Sequence, residues 1–253
     1  MKNKKKKLLI HDPDGTEITR IHRQNINKKK FLKNIYLEWY NIFKSHVVNT
    51  EAEKLLEIGS GGGFLKEVIP SVITSDIANL EYCDITFDTY EMPFKERSVS
   101  RIFLLNVFHH IDKPEKFLNE VNRVLKKDGK LIMLEPSISI WSRLIYKYLH
   151  FEAMDPKSGW EIQGGKRLSN ANIALPWIVF VRDYEKFCLM FPDLKIEKIE
   201  HLMPFSYILS GGVSSKFSLP AFLYKPIRQF EKLFKPIDKH FSMFQTIVIK
   251  KIK

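Results

Sequence analysis

The chain has 253 residues, 44% of them apolar and 13% aromatic, and carries a formal charge of +12. That apolar content supports a full globular core and excludes a disordered, collagen-like or coiled-coil chain. No apolar run approaches about 18 residues, so no spanning helix is expected. In the basic start, MKNKKKKLLIHDPDG, Leu8 to Ile10 form too short a run for a secretory signal. Two cysteines, Cys83 and Cys188, make neither a disulfide framework nor a four-cysteine zinc site. A reducing cytoplasm is the expected compartment.

The charge is uneven. Residues 1–35 carry +8 and residues 216–253 carry +7, which leaves residues 36–215 at −3. Basic ends attract phosphates, whether of nucleic acid, anionic lipid or a lipid-linked diphosphate, or act as solubilising tails.

Residues 1–27 read as an arm, with turn chemistry at Pro13 and Gly15. Residues 28–48 have the period of an amphipathic helix through Phe31, Ile35, Leu37, Trp39, Ile42 and Phe43. Residues 54–58 (KLLEI) form a short buried strand that runs straight into Gly59 to Gly63. A helix at 64–69, a strand at 72–75 ending at Asp76, and a strand at 81–85 follow. Residues 100–107 (SRIFLLNV) read as a strand buried on both faces. Residues 113–125 form a helix with Pro114 in its first turn, stopped by Lys127-Asp128-Gly129. Residues 130–135 (KLIMLE) are the next strand. Beyond it the alternation loosens: helices at 138–151 and 183–191, strands at 194–202 and 244–252, and no clear period over 152–182.

Strands alternating with helices predict a doubly wound, mostly parallel α/β sheet. Ligands of such sheets bind beyond the carboxyl ends of the strands. Glu57, Asp76, Asp84, Asn106 and Glu135 all fall at predicted strand ends and point to one shared site.

The loop LLEIGSGGGF, residues 55–64, joins a strand to a helix through glycines. Its bare backbone lets a ligand lie close, and the helix start offers N–H groups to an anion. The dinucleotide pattern G-x-G-x-x-G fails at Phe64. The pattern acidic-x-G-x-G-x-G is met by Glu57, Gly59, Gly61 and Gly63, and it resembles the first motif of class I S-adenosylmethionine-dependent methyltransferases. Asp76, Asp84-Ile85 and the run 92–136 match the later motifs in order, and this run is similar to the type 11 small-molecule group. The resemblance covers about residues 50–136. It implies a Rossmann-like sheet with its last strand antiparallel and helical additions, and S-adenosylmethionine as cofactor. It further implies that Glu57, Gly59, Ser60, Gly61, Gly63, Asp76, Ile77, Asp84, Ile85 and Asn106 bind that cofactor. Asp76 would take the ribose hydroxyls, Asp84 and the following backbone the adenine, and Asn106 the methionine portion. A Rossmann-like domain for another nucleotide is the alternative.

Methyl transfer asks the protein mainly for proximity, orientation and desolvation. A hydroxyl acceptor adds a need for a general base, and the candidates are His110, His109 and Glu135. No metal site is expected, since His109, His110 and Asp112 are adjacent and no further carboxylate is in view to complete a cage.

The expected organisation is a basic arm and helix over 1–50 and a methyltransferase domain over 51–253, with acceptor-side insertions at about 137–193 and 203–242. Trp160, Trp177, Gln163, Asn170 and Asn172 could stack on and hydrogen-bond a sugar, or belong to the core. Residues 221–241 alternate Phe222, Leu223, Ile227, Phe230 and Leu233 with lysines around Pro226 and Pro236, as a peripheral membrane contact or a covering helix does. The tail resembles methyltransferases of bacterial surface-polysaccharide gene clusters, implying a sugar hydroxyl on a nucleotide- or lipid-linked glycan. A quinone or lipid acceptor, an RNA, and a non-catalytic cofactor-binding scaffold are the alternatives. Nucleic acid is not an expected partner, because no RNA-binding module is recognisable.

Overall fold

The computed structural model describes residues 15–48, 52–150, 152–163 and 170–253. The lysine-rich start with Pro13, and Gly164-Gly165, lie outside the described residues. Helices α1 (Thr16–Lys28) and α2 (Lys30–Ser45) precede β1 (Leu55–Ile58), α3 (Leu65–Val68), β2 (Val72–Asp76) and β3 (Ile85–Thr86). Then come β4 (Val99–Leu105), a 3-10 turn at Phe108–His110, α4 (Pro114–Val124) and β5 (Leu125–Pro136). After β5 run α5 (Ile140–Leu149), α6 (Leu175–Trp177) with a π-helical turn over Ile178–Arg182, and α7 (Tyr184–Met190). The chain ends with β6 (Leu194–Leu202), α8 (Ser206–Leu209), α9 (Tyr224–Glu231), α10 (Asp238–Phe241) and β7 (Phe244–Lys251).

The seven strands form one sheet in the order β3-β2-β1-β4-β5-β7-β6. All neighbouring pairs from β3 to β5 are parallel. The last strand, β7, inserts antiparallel between β5 and β6. Alternation along the strands divides the core in two. Ile102, Leu104, Leu131 and Met133 face α4 and the 174–191 segment, while Phe103, Ile132 and Leu134 face α2, α3 and α5. The edge strand β6 carries Lys195, Glu197, Lys198 and Glu200, a charged edge that discourages further pairing.

Three expectations change. The arm is helical from Thr16, and α1 packs on α2 and on the glycine loop. Its period was obscured because few of its residues are buried, Thr19 and Ile26 among them. The third strand is two residues long and starts at Ile85, too short to have a readable period. Lys127-Asp128-Gly129 is not a helix stop: α4 ends at Val124, and the tripeptide sits inside β5. Asp128 takes a left-handed conformation there and pairs with Lys250.

Helix α2 buries Phe31, Leu32, Ile35, Tyr36, Trp39, Tyr40 and Phe43. Trp39 lies against Phe244 of β7 and Tyr207 of α8, with ring centroids 4.9 and 5.7 Å away. Arg228 of α9 pairs with Glu38 of α2 and with the buried Glu231, which accepts the Phe205 and Ser206 N–H groups. The residues before β1 are therefore part of the same core as the C-terminal segment. Trp39→Ala should cost about 3–5 kcal/mol of stability, read as a lower midpoint in urea unfolding.

Candidate active site

The glycine loop is held by close approach on three sides. Gly59 has φ +68°, and a Cβ there would lie 2.6 Å from a methyl of Val107. A Cβ on Gly62 would lie 2.7 Å from the Arg23 backbone nitrogen, so α1 rests directly on the loop. A Cβ on Gly63 would collide with the Tyr40 hydroxyl, which accepts the Phe64 N–H at 3.1 Å. Arg23 also donates to the Gly63 carbonyl and stacks over Tyr82, 4.3 Å from its centroid.

Beneath the loop, the Ser60 hydroxyl donates to Glu57 at 2.6 Å. Burial pushes the Glu57 carboxyl up to about 7, and the nearby Asp76 adds to the shift while Ser60 and Arg23 oppose it. Asp76, at the end of β2, accepts Gly61 N–H at 3.0 Å and Ala78 N–H at 2.9 Å, which fixes its carboxylate beside the loop. Ile77 follows it and is 55% exposed, an apolar surface suited to a flat ring. Asn106 ends β4 with φ +55°, and its buried Oδ1 has no hydrogen-bond partner. An orphaned acceptor, an acidic group and a bare backbone together fit a ligand carrying an ammonium group and an adenosine.

Asp84 and Ile85 do not reach this mouth. Ile85 pairs with Ser75 and Thr86 with Asp76, which places Asp84 level with Thr74, well below the carboxyl end of the sheet. Its carboxylate accepts Thr74 N–H and the Thr74 hydroxyl, both at 2.9 Å, and pairs with Lys66. Desolvation is the largest single effect and raises its pKa, but the hydrogen bonds from Lys66 and Thr74 together outweigh it and lower the pKa. Asp88, just past β3, is the exposed acid that falls beyond the strand end, and it accepts Tyr90 N–H at 2.9 Å. Sequence reading placed the third strand too early and so passed over it.

Glu135 is fully buried and is not an available base. One oxygen accepts Val107 N–H at 2.8 Å and Phe108 N–H at 2.7 Å, and the other accepts His109 Nδ1–H at 2.7 Å. Glu135 therefore orients His109, whose Nε2 lies 3.6 Å from Glu152. His110 donates from Nδ1 to the Asn170 carbonyl at 3.3 Å, and its Nε2 lies 3.8 Å from the second oxygen of Glu152. The two rings are 4.2 Å apart, and His150 Nδ1 is 3.9 Å from Glu152. Burial works against a charged His109, but Glu135 and Glu152 outweigh it and hold the imidazole up at about 10. Burial likewise opposes the Glu152 carboxylate, yet His109, His110 and His150 pull it down to about 2. Glu152 was missed in the sequence because it lies in an aperiodic stretch. Asp112, the acid nearest the two histidines in sequence, instead accepts the Tyr90 hydroxyl.

The proposed sugar contacts separate. Trp160 is buried and donates to Asp183 at 2.9 Å, and Asn172 is buried among Asp155, Ser158 and Ala174. Both are structural, whereas Gln163 is exposed, Trp177 is half-buried, and Asn170 lies beside His110. A concavity of about 680 Å³ lined by Glu53, Lys54, Arg97 and Lys126 sits at the amino ends of the strands, opposite these groups.

Residues 56–133 match the type 11 model described as a methyltransferase domain. No curated protein matches the sequence. The fold is similar to that of a SAM-dependent methyltransferase from Archaeoglobus fulgidus (15% identity, TM-score 0.52, 85% of this chain and 94% of that one). It is also similar to a SAM-dependent methyltransferase from Thermotoga maritima, described as a possible histamine N-methyltransferase (15%, 0.52, 92% and 99%). A third similar structure is Haemonchus contortus phosphoethanolamine N-methyltransferase 2 with S-adenosyl-L-methionine (15%, 0.52, 94% and 58%). The fold is the class I Rossmann-like methyltransferase fold. The protein is an S-adenosylmethionine-dependent methyltransferase, with S-adenosylmethionine as its cofactor.

Two outcomes test the cofactor side by calorimetry. Asp76→Ala and Asp88→Ala should each weaken S-adenosylmethionine binding by about 10-fold or more, the worth of a hydrogen bond to a charged group, while Asp84→Ala should leave it nearly unchanged. Binding should also depend on Glu57. Its carboxyl is protonated below about 7, and an ammonium group favours the ionised form, so affinity should rise as pH approaches about 7 and then level off. Glu57→Gln should flatten that profile.

Proposed function

We propose that the protein methylates a hydroxyl of a sugar on a nucleotide- or lipid-linked cell-surface glycan. The observation that carries this reading is the pair of imidazoles, His109 and His110, brought to the carboxyl ends of β4 and β5 with Glu152. A hydroxyl must shed a proton as it attacks, and a site equipped with imidazoles suits that acceptor better than one lined with apolar groups. Bound S-adenosylmethionine supplies the activated methyl group. The chain's own residues hold the donor over Gly59 to Gly63, keep Glu57 beneath it, and meet the acceptor's hydroxyl at His110, with the charged His109 beside it.

The surface supports a carrier lipid. Exposed Ile140, Leu144, Tyr148 and Leu149 on α5, and Phe222, Phe230, Leu233 and Ile237 around α9, stand beside Lys225, Lys232, Lys235 and Lys239. Helix α5 contacts α10, the helix that directly follows the second set in the chain. Apolar side chains among lysines suit the interface of an anionic membrane. No helix among the described residues is long and apolar enough to cross one. A second reading, a quinone or lipid acceptor, draws on the same exposed residues and needs the imidazoles less.

The test is methyl transfer from labelled S-adenosylmethionine to nucleotide sugars, lipid-linked glycans and quinones. With the correct acceptor, His110→Ala should lower turnover by about 10²–10⁴-fold and leave S-adenosylmethionine affinity unchanged. Transfer to quinones alone, with full activity in His110→Ala, would replace the sugar reading.

A further inference from the structure

His109, His110 and Glu152 each offer one ligand atom, and these atoms lie within 4.8 Å of one another. Their separations are informative. Nε2 of His109 and Nε2 of His110 stand 3.6 and 3.8 Å from the two oxygens of Glu152. A direct hydrogen bond would bring such atoms to about 2.7–3.2 Å. Ligands about 2.1 Å from one shared ion stand about 3.4 Å apart at tetrahedral angles. The spacing is therefore nearer to that of co-ligands than to that of proton-sharing partners.

The outer hydrogen bonds fit the same purpose. His109 Nδ1 donates to the Glu135 carboxylate at 2.7 Å, and His110 Nδ1 donates to the Asn170 carbonyl at 3.3 Å. Both bonds keep a proton on Nδ1 and turn Nε2 toward the cluster, where a bound cation would displace the Nε2 proton that Glu135 and Glu152 otherwise hold on His109. A carboxylate behind a histidine is a common support for a metal-ligating imidazole. Glu152, whose two oxygens face the two Nε2 atoms, supplies the negative charge that a cation there would meet.

We propose that His109, His110 and Glu152 form a binding site for a divalent first-row transition-metal ion. Two imidazole nitrogens and one carboxylate suit Zn²⁺, Mn²⁺, Fe²⁺ or Co²⁺, and not Mg²⁺, which takes oxygen ligands. Three protein ligands leave positions open for water or an acceptor oxygen. The role, which rests on the methyl-transfer reading, is to lower the pKa of an acceptor hydroxyl at an open position, its proton passing to solvent.

The experiment is a Co²⁺ titration of the untagged, chelator-stripped full chain, read by visible d–d absorption and by metal content after desalting. One equivalent with visible bands is expected. Glu135→Gln should weaken binding about 10–100-fold, and Glu152→Ala and His110→Ala should abolish it. Asp112→Asn should bind as wild type does. Thermal melts establish that each variant is folded. His110 is the less buried histidine, so its variant serves if His109 or Glu135 changes fail to fold. Absence of Co²⁺ binding by the wild type overturns the site, as does undiminished binding in folded Glu152→Ala and His110→Ala. Calorimetry with S-adenosylmethionine on the same samples separates the two readings. Cofactor binding without Co²⁺ binding removes the metal site alone, and Co²⁺ binding without cofactor binding sustains the site and removes the methyl-donor reading.

Discussion

One buried carboxylate joins the two halves of the site. Glu135, at the end of β5, accepts two backbone N–H groups from the turn after β4 and the Nδ1–H of His109. Those bonds set the path of Val107, and Val107 is the side chain against which Gly59 packs too closely for any Cβ. The same turn thus presses on the cofactor loop and presents the imidazole cluster. A carboxylate with no exposure is stable only when its acceptor sites are filled, and here three N–H donors fill them. Its burial and its duties exclude it from proton transfer and explain why it is needed.

The glycine-loop side and the imidazole cluster differ in how they are built. The cofactor side is mostly backbone: glycines in the left-handed region, strand ends and short turns. It falls within one stretch of the chain, residues 57–106, apart from α1 and Tyr40, which rest on the loop from outside. The imidazole cluster is assembled from side chains of distant segments: His109 and His110 after β4, Glu135 on β5, His150 and Glu152 after α5, and Asn170. Its electrostatics follow from assembly. Burial alone would neutralise His109 and Glu152, and mutual attraction between imidazole and carboxylate reverses that in both.

The structures with this fold at 15% identity include a possible histamine N-methyltransferase and a phosphoethanolamine N-methyltransferase. A common fold therefore says little about the acceptor, which has to be argued from the site. In this chain α5 and the residues around α9 form the exposed apolar and basic surface. Arg228 is the exception within it, since it is held by Glu38 and Glu231 and fastens α9 to α2. Part of the amphipathic pattern over 221–241 is thus internal structure, and the exposed part lies on Phe222, Phe230, Leu233 and Ile237.

The sequence by itself determined the parallel sheet through β5, the glycine loop, and the places of Glu57, Asp76 and Asn106. These are local features: strand period, turn chemistry and a strand running into glycines are each set by a few adjacent residues. Tertiary structure decided the rest. The register of β3 against β2, fixed by pairing, moved Asp84 and Ile85 away from the mouth and Asp88 past the strand end. Burial turned Trp160 and Asn172 into framework and gave Glu135 three donors. Long-range packing laid α1 on the glycine loop and brought Glu152 to His109 and His110, because charges and backbone groups far apart in the chain meet once two core layers close around one sheet.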